Sequence, residues 1–324
     1  MQTDALSDVL RVVRLSGATF IRLRLSAPFS LDALDSKTLK EAFAPDADYV
    51  LPFHLVTDGP IWFNVAGEES VQLETGDIIV LPQGDDHALS DAPGFDSLPV
   101  SAYQSQIAGE PPMLVWDGPG DEACVLCGFF RCQGRLFNPL VEALPQIVVI
   151  RREEDGTPWL MATLQRTFDE TLESRRGGSA LVERLTSLLF MEVVQRHLDD
   201  NTAEGWLAAL ADPVVGKVIK LMHQFPARPW TVDELGRRSG VSRSVLAERF
   251  GQMVGMSPIK YLTGWRMELA AARMLETDDA IAEIGADVGY VSESAFNKAF
   301  KRYVGEPPAG WRRANRARRS PSGR

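Results

Sequence analysis

The sequence predicts an α+β protein of two parts: a β-barrel followed by a helical hairpin, and a C-terminal all-α domain with two helix-turn-helix units. Three observations support this fold class. Short β-rich runs separated by Gly, Pro and Asp occupy residues 18 to about 150. A short helical unit occurs twice between Trp230 and Trp311, with an offset of 49 or 50 residues. The length of 324 residues is also typical of two domains.

The charge is divided in the same way as the predicted fold. Residues 1–213 contain 15 basic and 33 acidic side chains, whereas residues 214–324 contain 19 and 11. An acidic first part joined to a basic second part is typical of a nucleic-acid-binding domain fused to another module. The basic excess therefore coincides with the repeated helical unit.

Composition also limits the class of protein and its compartment. No apolar run is long enough to span a bilayer, and we see no signal peptide in the first residues. The three cysteines, Cys124, Cys127 and Cys132, are too few for a disulfide framework and fit a reducing compartment. We therefore expect a cytoplasmic protein that has no membrane partner.

The N-terminal part begins with a predicted amphipathic helix over residues 6–16, and a barrel or sandwich follows it. The predicted strands cover 18–25, 49–56, 60–65, 70–73, 77–82, 113–116, 123–131 and 146–151. One string, GDIIVLPQGDDH, begins at Gly76 and ends at His87. It predicts a tight turn, a strand that crosses the barrel and an exit turn that directs His87 into the barrel mouth. This string resembles the second conserved motif of the cupin superfamily; the first motif is reduced to His54.

Two helices are predicted after the barrel, over residues 158–174 and 178–198, and they form a hairpin. Part of the wide apolar stripe of the second helix is expected to pack on the barrel. The apolar residues left over make a homodimer interface plausible. The predicted segments are a sensor domain (1–157), the hairpin (158–200), a linker (201–213), a DNA-binding domain (214–318) and a disordered basic tail (319–324).

Capping residues define the helices of the C-terminal part. Thr231 precedes a predicted helix over 232–239, Ser242 one over 243–254, and Ser257-Pro258 begins a long helix that ends near Glu276. The first predicted helix covers 214–225, and the second copy of the unit supplies helices over 280–287 and 293–303.

The second helix of each unit is predicted to lie in the major groove of DNA. The apolar residues expected to point inward are Val245, Leu246, Phe250, Met253, Ala295, Phe296, Ala299 and Phe300. The residues left to face DNA are Arg243, Ser244, Ala247, Glu248, Glu293, Ser294, Asn297, Lys298 and Lys301. Asn297 suits an adenine edge, Arg243 suits guanine or phosphate, and Glu248 suits a cytosine amino group or stays solvated. Arg302 and the arginines of 312–319 suit phosphates.

Residues 214–313 resemble the DNA-binding domain of the AraC-type transcription regulators. The resemblance rests on the two units, the bridging helix and the closing Gly305-Glu306-Pro307-Pro308 with Trp311. Residues 1–200 resemble the cupin-like sensor domain of one branch of that family, where the barrel motif is followed by a Cys-Gly, here Cys127-Gly128. The resemblance implies a dimeric bacterial regulator, often an activator, that binds double-stranded DNA and meets RNA polymerase. The family usually has Ala where this chain has Gly236 and Gly285.

The signal received by the barrel has three competing interpretations. His54, His87 and a cysteine, Cys127 rather than Cys124, form a transition-metal site such as a zinc site. Alternatively, the thiol beside histidine is redox-sensitive. In the third interpretation these residues are structural, and a small organic ligand fills the barrel or the signal binds elsewhere. Cys124 and Cys127 are poor mutual ligands because they point to opposite faces of a strand.

Two other classes of protein compete with a transcription regulator. A metal-dependent cupin enzyme with an accessory DNA-binding domain is disfavoured, because the first cupin motif lacks its second His and its Glu. An alkyl acceptor for DNA repair is also disfavoured, since it needs a four-cysteine zinc cluster or a second domain with a reactive cysteine. We therefore expect a sequence-specific regulator and not an enzyme.

Overall fold

The structure is a computed structural model, and it contains two compact units that each use more than one stretch of the chain. One unit comprises Leu15–Gln133 and Leu144–Asn201, and the other comprises Met1–Arg14, Gly134–Ala143 and Thr202–Arg324. Residues 4–152 are described apart from 13, 17–19, 46, 48, 95, 108–112 and 134–135. Residues 159, 162, 163, 166, 178–199 and 204–319 are also described.

The first unit is built on two sheets. Its strands are β1 (Arg14–Ser16), β2 (Phe20–Ser26), β3 (Ser30–Asp32), β4 (Tyr49–Asp58), β5 (Ile61–Val65), β6 (Val71–Leu73), β7 (Ile78–Val80), β8 (His87–Ser90), β9 (Met113–Trp116), β10 (Glu122–Gln133) and β11 (Val148–Ile150). Among the described residues, one sheet has seven strands in the order β11-β7-β4-β10-β2-β9, with β1 beside β10. The other has four strands in the order β3-β8-β5-β6. Leu25, Phe63, Ile79, Leu89 and Val125 are buried in one cluster drawn from both sheets, so the core lies between them.

The turns of the GDIIVLPQGDDH string form as predicted. Gly76 has φ +98° and Gly84 has φ +70°, which are left-handed conformations that glycine adopts without strain. Asp77 accepts hydrogen bonds from the backbone N–H groups of Glu74 and Arg152, at 3.1 and 2.8 Å. The turns at Gly76 and Gly84 therefore lie at the two ends of β7, and the second turn leads into β8, which begins at His87.

Two helices cover this unit. Helix α2 (Ser36–Phe43) is capped by Asp35 and packs Leu39 against Val50 and Phe129. Helix α4 (Gly178–Asp199) packs Phe190 against Phe130 of β10, with ring centroids 5.6 Å apart. Its partly exposed apolar side chains, Leu181, Leu185 and Leu188, lie on another face. The predicted partner helix over 158–174 lies largely outside the described residues.

The second unit is helical. Its helices are α1 (Ala5–Val12), α3 (Pro139–Ala143), α5 (Gly205–Ala211), α6 (Val215–Gln224), α7 (Val232–Ser239), α8 (Arg243–Val254), α9 (Pro258–Glu276), α10 (Ile281–Asp287), α11 (Glu293–Val304) and α12 (Pro308–Arg319). Tyr261 of α9 is fully buried, and its hydroxyl accepts a hydrogen bond from Trp206 Nε1 at 2.8 Å. His223 Nε2 lies 2.9 Å from the same hydroxyl, and its ring stacks on Trp265 at 4.1 Å. Among the described helices, none is long and apolar enough to span a bilayer.

Three predicted boundaries differ from the structure. The predicted helix over 6–16 ends at Val12, and Arg14–Ser16 pairs with β10 as a strand. The predicted linker over 201–213 contains α5, which buries Trp206 and Leu207. The predicted sensor domain, 1–157, is interrupted, because its first helix and α3 belong to the helical unit. A local apolar pattern indicates that a segment is buried but does not indicate which core buries it.

Candidate functional site

The first helix-turn-helix unit consists of α7 and α8, and its inward face is smaller than predicted. Leu246 and Phe250 are fully buried, and Met253 is half-buried. Val245 is 46% exposed, so the prediction that it points inward is wrong. It follows the N-cap Ser242 by three residues, where α8 has only begun to enter the core. The predicted polar face is exposed as expected and comprises Arg243, Ser244, Ala247 and Glu248.

The second unit consists of α10 and α11 and has the same construction. Phe296 and Phe300 are fully buried with Ile284 and Trp311, and Ala295 and Ala299 are half-buried. The exposed predicted residues are Glu293, Ser294, Lys298, Lys301 and Arg302. Asn297 is half-buried, and its amide oxygen accepts no hydrogen bond within the described structure. These side chains, apart from Arg302, line one surface groove with Pro307.

Glycine turns and serine caps orient both second helices. Gly240 has φ +81° and Gly289 has φ +93°. Ser242 accepts a hydrogen bond from Val245 N–H at 3.3 Å, and Ser292 accepts one from Ala295 N–H at 3.2 Å. The second turn has one more residue, Val291, whose side chain is fully exposed. Val291 lies outside the predicted DNA-facing set; the signal that could identify it is a large aliphatic residue in a polar turn beside the N-cap.

Several basic side chains near these helices are already paired. Arg243 lies 3.6 Å from Asp233, and both side chains are strongly exposed. Arg312 donates to the backbone oxygen of Asp279, and Arg316 pairs with Asp278. Arg312 and Arg316 thus hold the connection between α9 and α10 in this structure, and the role of the arginines of 312–319 at phosphates stays a prediction.

The barrel brings together three of its four predicted sensor residues. Cys127 of β10 stands opposite His54 of β4 in the ladder of the larger sheet. His87 comes from β8 of the smaller sheet. Cys127 Sγ lies 2.9 Å from His54 Nδ1, and His54 Nε2 lies 2.7 Å from His87 Nε2. Cys124 is outside this group; its thiol lies 3.9 Å from a carboxylate oxygen of Glu122.

The protons of this group have one consistent arrangement. His87 Nδ1 lies 2.9 Å from the carbonyl oxygen of Asp85, which can only accept, so Nδ1 carries a proton. Burial lowers the pKa of His87, and burial together with the neighbouring His87 lowers that of His54 well below its usual value. Both rings are therefore neutral. His54 then donates from Nε2 to His87 and accepts at Nδ1 from the Cys127 thiol, which makes a chain of three hydrogen bonds.

This arrangement does not suit the predicted transition metal. Two imidazole nitrogens on one zinc ion are about 3.3 Å apart, since each Zn–N bond is about 2.0–2.1 Å and the geometry is tetrahedral. Cys127 also meets His54 at Nδ1, on the edge of the ring opposite the nitrogen that faces His87. One ion cannot be shared by all three residues. Within the described part of the chain, no group of three or more His, Cys, Asp or Glu side chains is placed to hold a metal.

The thiol is also poorly suited to redox sensing. Burial raises the pKa of Cys127 far above its usual value, so the sulfur is a thiol at neutral pH. Reactive cysteines need the thiolate. Burial and the nearby Glu122 raise the pKa of Cys124 as well, and Cys132 is fully buried. Of the three interpretations of the barrel, the geometry therefore favours structural residues beside an organic ligand.

The other two histidines of the sequence, His197 and His223, have structural positions. His197 is buried near the end of α4. His223 stacks on Trp265, and its Nδ1 lies 3.7 Å from Asp8 of α1. Burial lowers the pKa of His223, with Asp8 acting in the opposite direction.

Known proteins resemble both parts of the chain. Residues 4–199 match a family described as Cupin, and residues 235–314 match one described as Helix-turn-helix domain. A putative AraC-like transcription regulator of Streptomyces lividans is 35% identical over 275 residues, which are 83% of this chain and 88% of that protein. The HTH-type transcriptional regulator AlkR of Acinetobacter baylyi is 28% identical over 316 residues, 95% of this chain and 99% of that protein. The DNA-binding domain of AdpA, solved with a target DNA, is 28% identical with a TM-score of 0.32; the match covers 35% of this chain and all of that one.

Proposed function

The chain belongs to the family of AraC-type transcription regulators with a cupin N-terminal domain, and from this premise we propose how its own residues read DNA and receive a signal. The protein is a DNA-binding transcription regulator of the helix-turn-helix type. Its operator contacts and its effector are the parts that we propose.

We propose that α8 and α11 enter successive segments of the major groove. The observation that carries this proposal is the repeated surface: each helix is serine-capped, buries a Phe pair or a Leu-Phe pair, and exposes its polar first turns. The bridging helix α9 has 19 residues, which at about 1.5 Å each span about 28 Å. That length suits two recognition helices about one DNA turn apart.

The two surfaces have different chemistry. Asn297 lines the surface groove with Ser294, and it reads an adenine edge once its amide, whose oxygen is buried without a partner here, turns outward. Lys298, Lys301 and Arg302 neutralise phosphates. Arg243 must leave Asp233 to reach guanine or phosphate, whereas Ser244, Ala247, Glu248 and Glu293 complete the two surfaces. Val245 and Val291 add apolar contacts to thymine methyl groups.

The barrel unit supplies the input in this proposal. The barrel receives the signal, and α4 pairs with α4 of a second copy through Leu181, Leu185 and Leu188. The regulator acts in the cytoplasm as an activator that meets RNA polymerase. We assign no enzymatic reaction to the barrel, because its His54, His87 and Cys127 groups hydrogen bond to one another and do not suit a shared metal.

Binding to the DNA beside the protein's own gene tests the proposal. Lys298→Ala should weaken binding to all sequences and lower the slope of log affinity against log salt by about 1, because one phosphate contact is lost. Lys220→Ala is the matched control, since Lys220 is exposed on α6 outside both recognition helices. Equal losses in the two variants, or an unchanged slope in Lys298→Ala, would refute the placement of α11 on DNA.

A further inference from the structure

An apolar cavity of about 60 Å³ lies in the barrel unit, against the hydrogen-bond chain of His54 and Cys127. Aliphatic side chains form most of its wall, among them Ile21, Leu25 and Leu114. Cys127 retains accessible surface although it lies deep in the sheet, and this surface borders the cavity. The cavity is therefore apolar except at one wall, where Asp32, His54, Tyr103 and Cys127 lie.

The polar side chains at that wall are already satisfied. His54 bonds to Cys127 and to His87, and the hydroxyl of Tyr103 donates to the backbone oxygen of Asp32. The carboxylate of Asp32 accepts from the hydroxyl of Ser97. A ligand in the cavity is therefore offered apolar surface and little hydrogen bonding.

We propose that this cavity is the effector site and that the effector is an uncharged, predominantly hydrocarbon molecule. The proposal rests on the proposed function, in which the barrel receives the signal. Nothing in the arrangement of the polar wall calls for a metal ion or a thiol reaction.

Charge decides the class of ligand. Among the described residues that line the cavity there is no lysine or arginine, and Asp32 is the one charged side chain. An anion would lose its hydration without gaining a cation, and it would face the Asp32 carboxylate. A cation would have to displace the hydrogen bond that Ser97 makes to Asp32. A sugar would bury hydroxyl groups beside side chains that are already paired.

Size links binding to a movement of the barrel. A cavity of about 150 Å³ holds a benzene ring, so the 60 Å³ cavity must widen to admit a ligand of that size. One part of the wall that is not held in a sheet is the segment around α2, which carries Leu39.

Three probes with the same ring test the class: toluene, benzoate and benzylamine. Calorimetry of the full-length protein should show that saturating toluene raises the Tm of the barrel transition by about 5 °C or more. Benzoate and benzylamine should leave the Tm unchanged. Operator binding by gel shift is measured on the same preparations, so a protein that binds DNA and none of the probes refutes the ligand class and leaves the proposed function standing.

Substitutions in β9 locate the binding site. Leu114→Phe places a larger side chain in the cavity and should abolish the toluene shift. Met113→Phe is the matched control, because Met113 is the adjacent residue of the strand and is 40% exposed. Leu114→Ala enlarges the cavity and should increase the shift relative to its own unliganded Tm; this variant decides the question if Leu114→Phe does not fold. Absence of a toluene shift, equal shifts with a charged probe, or equal toluene shifts in the Leu114 variants and wild type would overturn the proposal.

Discussion

His54, His87 and Cys127 form a hydrogen-bonded group in the barrel, and all three side chains are uncharged at neutral pH. His54 and His87 have pKa values lowered by burial, so an unfolded chain binds protons more readily than the folded barrel does. The barrel is therefore stabilised above the usual histidine pKa and loses that stabilisation as the pH falls through about 6.5.

The pH dependence of unfolding checks this property. Between pH 7.5 and 5.5 the free energy of unfolding of the barrel should fall, by up to about 1.4 kcal/mol per pH unit for each imidazole. His54→Gln should have a shallower dependence, because one of the two groups no longer titrates. Denaturant unfolding at several pH values measures both. A wild-type barrel whose stability is constant over this range would contradict the neutral hydrogen-bond chain.

The predicted inward-facing positions of the recognition helices are confirmed at Phe296 and Phe300 and wrong at Val245. The 3.6-residue period correctly assigns Phe296 and Phe300 to the core of the second unit. It fails at Val245, because the period does not say where along α8 the core begins. Strand alternation likewise separates Cys124 from Cys127, but no sequence pattern specifies that Asp85 fixes the proton of His87.

The two helix-turn-helix turns are equivalent in backbone shape and different in surroundings. A Cβ atom at Gly289 would lie 2.5 Å from the backbone oxygen of Ala227, whereas one at Gly240 would meet nothing within 4 Å. Both glycines have positive φ, so alanine costs about 1–2 kcal/mol at either position.

Gly289→Ala should therefore destabilise the DNA-binding unit by at least about 1 kcal/mol more than Gly240→Ala does, since the backbone must also move. Thermal unfolding of the two variants against wild type measures the difference. Equal losses would mean that the contact between the second turn and Ala227 yields without cost. Alanine at Gly285 should cost less than alanine at Gly289, because its Cβ would lie 2.9 Å from the Phe296 side chain and not against backbone.

Helix α9 also anchors a segment from far away in the sequence. The buried carboxylate of Glu268 accepts hydrogen bonds from the backbone N–H groups of Leu136 and Phe137, at 2.9 and 3.1 Å. Glu268→Gln should destabilise the unit by about 1–1.5 kcal/mol, because the amide oxygen of Gln accepts the same hydrogen bonds without the charge that strengthens them. Glu276→Gln, at an exposed position of the same helix, should stay within about 0.5 kcal/mol of wild type. Equal unfolding midpoints for the two variants would contradict the anchoring role.

Elements with a strong local pattern were predictable, and those defined by distant partners were not. Caps at Thr231, Ser242 and Ser257 mark helix starts that the structure reproduces. Strand β3 has three residues and exists through its pairing with β8, so its short sequence carries no period. The sequence predicts a linker where α5 forms, because the short Ala-rich segment has no clear helical period; the structure shows a helix that buries Trp206.

At the scale of the whole molecule, the proposed dimer depends on one face of α4. Leu188 is 42% exposed there, opposite the side that carries Phe190 and Val194 into the barrel. Leu188→Glu should shift the protein toward monomer in sedimentation experiments, because a charge replaces an apolar contact in the interface. Leu98→Glu is the control, since Leu98 is 43% exposed outside α4. A protein that remains dimeric as Leu188→Glu, or that is monomeric in wild type, would exclude this interface.

The two-part organisation was predictable from charge, repeat and strand content, whereas the path of the chain between the parts was not. Composition averages over long stretches, so it detects an acidic barrel and a basic helical unit. It does not detect that α1 and α3, which lie within the acidic stretch, pack with the helices of the other unit.

That path has a consequence for how the protein is made. Helix α1 is synthesised first, but α6 and α9, the helices it packs on, leave the ribosome more than 200 residues later. The last stretch of the barrel unit ends at Asn201, so the barrel is complete while most of the DNA-binding unit is still unmade. During that interval the helices on which α1 and α3 pack have not yet been synthesised. The cavity proposed as the effector site is thus synthesised in full before the two recognition helices are.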